Sequence, residues 1–215
     1  MEVRLGFIRK VYSLLALGLL ITFAVVCIPM FSSSVRTFLD NNIWIFITAL
    51  VIAFVIEIAV FCCLGVSRKV PVNYGLMFGF IFCESIVVAY CCGAYNREIV
   101  FMAAGMTAGL VTILTVYAMT TKKDFTLCMS TIWIFGGLLL MWGIMAILFR
   151  SQIMYTIYCA AGVCIFSIYL MIDTQLIMGN KRYKLSEDDY VIGVLILYID
   201  IIMIFLYLLQ LLGKR

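Results

Sequence analysis

Four carboxylic acids lie deep in apolar stretches of this chain. Glu57, Glu84, Asp173 and Asp200 each sit well inside a long hydrophobic run, whereas the bases gather at the ends of such runs, with Arg68 and Lys69 the nearest that could dip in. A charged side chain at the centre of a bilayer costs about 2.5–3.5 kcal/mol on insertion scales, so each acid must face a partner, a cavity or a proton. An excess of acids over bases suits the holding of protons or the passage of cations. Asp173 and Asp200 are the most informative of the four. They stand on consecutive apolar segments joined by the short charged stretch 179–189, which makes those segments antiparallel neighbours. Two carboxyls that meet there titrate as one unit, closing a path when protonated at lower pH and opening it when ionised at higher pH. For Glu57 and Glu84 a second reading stays open: a protonated carboxyl bonded to a backbone carbonyl, with no transport role.

The elements that carry these acids follow from composition. Of 215 residues, 66% are hydrophobic and 12% charged, where a soluble domain is nearer half apolar and a quarter charged. The chain is a polytopic membrane protein with no room for a separate soluble domain, so a single transmembrane domain over 1–215 is expected. Apolar runs at 11–31, 43–65, 72–92, 99–120, 126–149, 153–178 and 190–212 are each long enough at 1.5 Å per residue to cross a hydrocarbon core of about 30 Å. The expected fold is all-α, a bundle of seven transmembrane helices. The first run is too long for a signal-peptide core and lacks a small-x-small cleavage site.

Loop charges set the orientation. Arg4, Arg9, Lys10, Arg68, Lys69, Lys122, Lys123, Lys181, Arg182 and Lys184 fall on one side, and Arg36, Arg97, Arg150, Lys214 and Arg215 on the other. The first side, with the N-terminus, is expected to be cytoplasmic. A re-entrant last segment would return Lys214 and Arg215 to it, but 190–212 is long enough to cross.

Patterning inside the runs points the acids inward. Gly193, Asp200 and Tyr207 recur every seven residues on the last segment, and Gly162, Tyr169 and Asp173 line one face of its predecessor. Helix packing in lipid favours small residues, and Gly75-x-x-x-Gly79, Gly105-x-x-x-Gly109, Gly136-Gly137 and Gly143 are the expected contact points. Ser186, followed by Glu187, Asp188 and Asp189, reads as a helix N-cap with solvated acids in the first turn.

Enzyme chemistry finds little footing. There is no histidine, no Gly-x-Ser-x-Gly elbow and no phosphate-binding glycine loop. The nine cysteines, among them the adjacent pairs Cys62-Cys63 and Cys91-Cys92, lack metal-ligand spacing and read as buried thiols. An intramembrane aspartyl protease would also use two aspartates on neighbouring helices. Its Tyr-Asp and Gly-x-Gly-Asp surroundings are absent, the residues here being Met171-Ile172-Asp173-Thr174 and Leu197-Tyr198-Ile199-Asp200.

The segments Asp173-Thr-Gln-Leu-Ile-Met-Gly-Asn-Lys-Arg182, Leu185-Ser-Glu-Asp-Asp-Tyr190, Leu197-Tyr-Ile-Asp-Ile-Ile202 and Phe205-Leu-Tyr-Leu-Leu-Gln-Leu-Leu-Gly213 carry a resemblance. Together with Phe7-Ile-Arg-Lys-Val-Tyr12, Val35-Arg-Thr-Phe38 and Thr121-Lys-Lys-Asp-Phe-Thr126, they resemble the transmembrane Bax-inhibitor-motif family, its lifeguard branch above all, with the Golgi anti-apoptotic proteins near by. The resemblance implies a seven-helix bundle whose last helix is central, surrounded by the others. It implies a pH-sensitive calcium leak in Golgi or endoplasmic reticulum membranes that lowers store calcium and inhibits apoptosis. It implies a proton-sensing latch whose aspartates match Asp173 and Asp200 and whose basic partner is matched by Arg68, which on the residues alone would also satisfy the positive-inside rule. Glu57 and Glu84 are candidate pore-lining residues, by depth.

No cofactor is expected, calcium being the permeant ion. The expected partners are calcium, the lipid bilayer and membrane proteins of cell-death or calcium signalling, and no nucleic acid. The alternative is a non-conducting membrane protein that modulates cell-death signalling through its partners. Two departures stand out: Ile172-Asp173-Thr174 replaces the family's Tyr-Asp-Thr, and Ser186-Glu-Asp-Asp-Tyr190 its Ser-Pro-Glu-Glu-Tyr. Only about ten residues precede the first apolar run, which suits a compact viral homologue as well as a cellular one.

Overall fold

A computed structural model describes residues 2–149 and 151–213, so Arg150, Lys214 and Arg215 of the charge count lie outside the described residues. Among the described residues there is no strand. The helices are α1 (Glu2–Phe31), α2 (Ser33–Asn41), α3 (Ile43–Cys62), α4 (Leu64–Ser67), α5 (Val72–Gly93), α6 (Arg97–Thr120), α7 (Met129–Phe149) entered through a 3-10 turn (Phe125–Cys128), α8 (Gln152–Met178) and α9 (Tyr190–Leu212). Seven of these segments are long and apolar enough to span a membrane. Helices are the natural outcome, because hydrocarbon offers backbone amides no other partner.

Three boundaries differ from the sequence reading. The first helix begins at Glu2, so Arg4, Arg9 and Lys10 form its opening turns instead of a lead-in. The second span stops at Cys62, and Leu64–Ser67 makes a separate single turn where an unbroken run to 65 was expected. The first loop holds α2, started by Ser32, whose hydroxyl accepts from the Val35 N–H at 3.4 Å.

The last helix differs from the rest in burial. Of its most apolar window 78% is buried, against 17–44% for the other spans, so α9 is the central helix. A helix apolar all round is either enclosed by protein or faces lipid, and its burial puts α9 in the first class.

Contacts divide the chain into two compact units, one of residues up to Arg97 with Ser186–Tyr198, the other of Glu98–Leu185 with Ile199 onward. In the first, α5 packs against both α1 and α3. Gly18 allows α1 its approach to α5, for a Cβ there would lie 2.8 Å from Ile81 Cδ1. In the second, α7 packs on α8.

Glycines of the second unit receive tyrosines. A Cβ at Gly136 would meet the Tyr169 hydroxyl at 2.7 Å, one at Gly143 the Tyr158 ring at 2.9 Å, and one at Gly162 the Tyr207 ring at 2.7 Å. The Gly-x-x-x-Gly expectation is corrected here: at Gly75, Gly105 and Gly109 a Cβ would meet nothing within 4 Å, and Gly79 sees only Ile56 at 3.5 Å. Spacing marks glycines that could admit a helix backbone; the contacts here are between a glycine and an aromatic ring, which spacing does not encode.

Candidate functional site: the aspartate pair and the polar contacts of the last helix

Asp173 sits on α8 about one and a half turns before that helix ends. The end is fixed by Gly179, whose φ of 67° is left-handed and whose N–H donates to the Gln175 carbonyl at 3.0 Å, a closure that glycine makes without strain. Asp200 sits midway along α9 and is buried; Asp173 is half-buried. Their carboxyls are close enough to interact electrostatically. A hydrogen bond between two such carboxyls requires a proton, since two carboxylates have no donor between them. One oxygen of the pair, Asp200 Oδ2, is buried with no hydrogen-bond partner among the described residues.

The connection between α6 and α7 is tied to α8 by Gln175, two residues beyond Asp173 and fully buried. Its side-chain oxygen accepts from the Phe125 N–H at 2.9 Å and its amide donates to the Lys123 carbonyl at 3.0 Å. Lys181 Nζ donates to the Thr121 carbonyl at 3.0 Å, and Asp124 accepts from the Arg182 N–H at 3.2 Å and the Thr126 hydroxyl at 2.6 Å. The Thr126 hydroxyl, first, and these N–H donors hold the Asp124 carboxyl below its usual range. The residues after α8 are therefore anchored to the stretch 121–126.

Arg68 was expected at the aspartate pair. Its guanidinium instead makes a two-pronged ion pair with Asp189, Nε to Oδ1 at 2.7 Å and Nη2 to Oδ2 at 2.9 Å. Those two bonds hold Arg68 charged, above even its ordinary range. The cap reading for Ser186 is corrected with it. α9 starts at Tyr190, Ser186 to Asp189 form a turn closed by Asp189 N–H to Ser186 O at 3.1 Å, and the Asp189 carbonyl accepts from Gly193. Asp189 is buried, not a solvated first-turn acid, because Arg68 supplies its counter-charge.

Along the first half of α9 the same unit supplies four more contacts that the sequence reading missed. Asn73 Nδ2 donates to the Tyr190 hydroxyl at 2.6 Å, and Lys10 Nζ lies 3.2 Å from the centroid of the Tyr190 ring. Deeper in, the Tyr198 hydroxyl meets Thr22 Oγ1 at 2.7 Å, which in turn lies 3.0 Å from Ser85 Oγ. Asn73 and Ser85 are polar residues inside an apolar run, a usable signal, whereas nothing local marks Tyr198 as their neighbour. Glu57 and Glu84, both half-buried on α3 and α5, lie close enough to interact electrostatically. No group of three or more acids, cysteines or histidines suited to a metal occurs among the described residues.

Over residues 4–215 the chain matches the family model described as inhibitor of apoptosis-promoting Bax1. It is 35% identical to protein lifeguard 3 of Homo sapiens across 218 aligned positions, covering 100% of this chain and 70% of that protein. Lifeguard 3 of Mus musculus is 32% identical, with 100% and 71% covered, and lifeguard 4 of Mus musculus 30% identical, with 97% and 85% covered. With seven apolar helices, a buried last helix and a match over nearly its whole length, the chain belongs to the Bax-inhibitor-motif family of anti-apoptotic, multi-pass membrane proteins, among its lifeguard members.

Proposed function

We propose that the protein is a pH-sensitive calcium leak pathway of an intracellular membrane, Golgi or endoplasmic reticulum, that lowers store calcium and thereby inhibits apoptosis. The reading rests on one observation, two carboxyls meeting inside the apolar spans α8 and α9. With a proton between them they bond the helices together. Without it two like charges about 4 Å apart repel by about 4 kcal/mol at an effective dielectric of about 20, which pushes α8 and α9 apart. Glu57 and Glu84 give a cation its favourable field, and calcium is the cation that the family's role in cell death makes relevant. The N-terminus faces the cytoplasm, so the leak runs from lumen to cytoplasm. Arg68, bound to Asp189, anchors the start of α9 and steadies the closed state. The protein works without catalysis and without a cofactor.

The test is calcium flux into liposomes carrying the purified protein, between about pH 6 and pH 8, for the parent chain, Asp173→Asn and Asp200→Asn. Flux should rise with pH in the parent and lose that dependence in both variants. Flux no greater than that of empty liposomes at every pH overturns the reading in favour of a non-conducting protein acting through membrane partners.

A further inference from the structure

A cavity of about 360 Å³ lies in the second unit, walled by α7 and floored by Tyr155 and Tyr158 of α8 and Gln210 of α9. We infer that it is a binding site for a membrane sterol, seated with its hydroxyl on Gln210 and its apolar body along α7. The inference is independent of the calcium reading.

Three features select this occupant. The first is access: Leu140, Ile144 and Ile147, which form the wall on α7, are exposed side chains of a membrane-spanning helix, so the cavity opens to lipid. Gly143 shapes it, because a side chain there would run into the Tyr158 ring 2.9 Å away. The second is charge. Among the described residues that line the cavity none is charged, and its polar groups are the neutral hydroxyls of Tyr155 and Tyr158 and the Gln210 amide, which suit a neutral polar end on the ligand.

The third is the number and depth of the polar atoms. The Gln210 side-chain oxygen is occupied, accepting from the Tyr155 hydroxyl at 2.6 Å and weakly from Cys159 Sγ at 3.8 Å. Its amide nitrogen has no partner among the described residues, leaving a donor for one incoming oxygen. Tyr158 shares its hydroxyl with Tyr207 at 3.0 Å and retains acceptor capacity for that ligand's O–H. This is a reception for a single hydroxyl, smaller than a glycerol ester head needs. Gln210 is two residues from Leu212 and Tyr155 three from Gln152, so the patch lies within about 3–5 Å of the helix ends. At that depth, just below the headgroups, a sterol carries its hydroxyl, with rigid rings running toward the bilayer centre along the apolar wall.

The experiment is equilibrium binding of tritiated cholesterol to the purified full chain in detergent, with dioleoylglycerol and phosphatidylcholine as competitors. The parent should bind saturably near one per chain. Gln210→Leu should weaken binding about tenfold, the worth of one hydrogen bond of about 1.4 kcal/mol. Leu140→Trp, which fills the cavity from an exposed position, should abolish it. Thermal unfolding and gel filtration check that each variant is folded, and Ile147→Trp, also exposed, carries the test if Gln210→Leu is not. Absence of saturable binding, or binding that none of the folded variants alters, overturns the site. Dioleoylglycerol displacing cholesterol at equal concentration overturns the assignment to a sterol.

Discussion

Substituting alanine for glycine at different points of this bundle should act with opposite signs. At Gly162 the added Cβ would sit 2.7 Å from three carbons of the Tyr207 ring, where carbon pairs rest at about 3.5–4.0 Å. The ring has nowhere to go. It is buried, its hydroxyl is bonded to Tyr158 at 3.0 Å, its face lies edge-on to Tyr158 at 5.3 Å between centroids, and Phe166 stands 5.8 Å away. α8 and α9 must therefore separate by about 1 Å locally. Overpacking of this kind costs about 1–3 kcal/mol, while replacing glycine in a helix returns up to about 1 kcal/mol. The net expectation for Gly162→Ala is a loss of up to about 2 kcal/mol. At Gly105 and Gly109 nothing lies within 4 Å, so only the propensity gain remains and Gly105→Ala should be neutral or stabilising by up to about 1 kcal/mol. Thermal unfolding of the purified chains in one detergent ranks them. Adding Tyr207→Leu to Gly162→Ala should recover part of the loss, the mark of a contact between the two sites. A Gly162→Ala protein as stable as Gly105→Ala would refute the close approach of α8 to α9.

Three further perturbations probe the other contacts. Tyr198→Phe removes the hydroxyl bonded to Thr22 but leaves Thr22 its bond to the Gly18 carbonyl at 3.1 Å, so thermal unfolding should show a loss of about 0.6–1.7 kcal/mol; unchanged stability would remove that bond from the account. Arg68→Asp and Asp189→Arg should each lower thermal stability, and the double exchange should recover part of it at low salt; strictly additive losses would mean the pair contributes nothing. Asp124 is an acid held below its ordinary value of 3.8, so its contribution is present above that value and lost as pH falls through its folded one; Asp124→Asn should flatten the acid limb of stability against pH below about pH 4, and an unaltered limb would exclude it.

Much of this molecule is legible in its sequence because hydrocarbon imposes a single rule on the backbone, and apolar length reads that rule directly. That Asp173 and Asp200 stand near each other was legible too, since a short connection leaves consecutive helices few arrangements. Contacts between helices distant in sequence were not. Arg68 and Asp189 are 121 residues apart, and both had sufficient local explanations, one as a loop base and the other as a helix-start acid. Gly162 and Tyr207 each appeared on the correct face of its helix, yet the ring-on-glycine contact depends on the relative rise of α8 and α9, which no spacing within either helix records. Gly105 shows the converse, a motif in the right chemical form with no neighbour to receive it.

The polar side chains of α9 bear on the proposed pH response of the aspartate pair. A helix with 78% of its window buried should be apolar throughout, yet α9 carries Tyr190, Tyr198, Asp200, Tyr207 and Gln210. Tyrosine and glutamine cost little there: each hydroxyl or amide oxygen is met by a neutral partner, from Asn73, Thr22, Tyr158 and Tyr155 respectively, and none of those bonds changes with pH in the neutral range. Asp200 is different in kind. In the proposed reading its bond to Asp173 exists only while a proton is present, and Oδ2 is a buried acceptor with no partner among the described residues. An unsatisfied buried acceptor costs about 1–3 kcal/mol, so the closed pair starts from a position weakened on one side. Removing its proton then replaces a bond with a repulsion of about 4 kcal/mol in the same place, a combined change large enough to shift a two-state equilibrium by a factor of a thousand or so. Among the described residues no other contact along α9 would deliver that change from a single proton, which is why Asp200→Asn, isosteric and unable to ionise, is the substitution on which the proposed pH response depends.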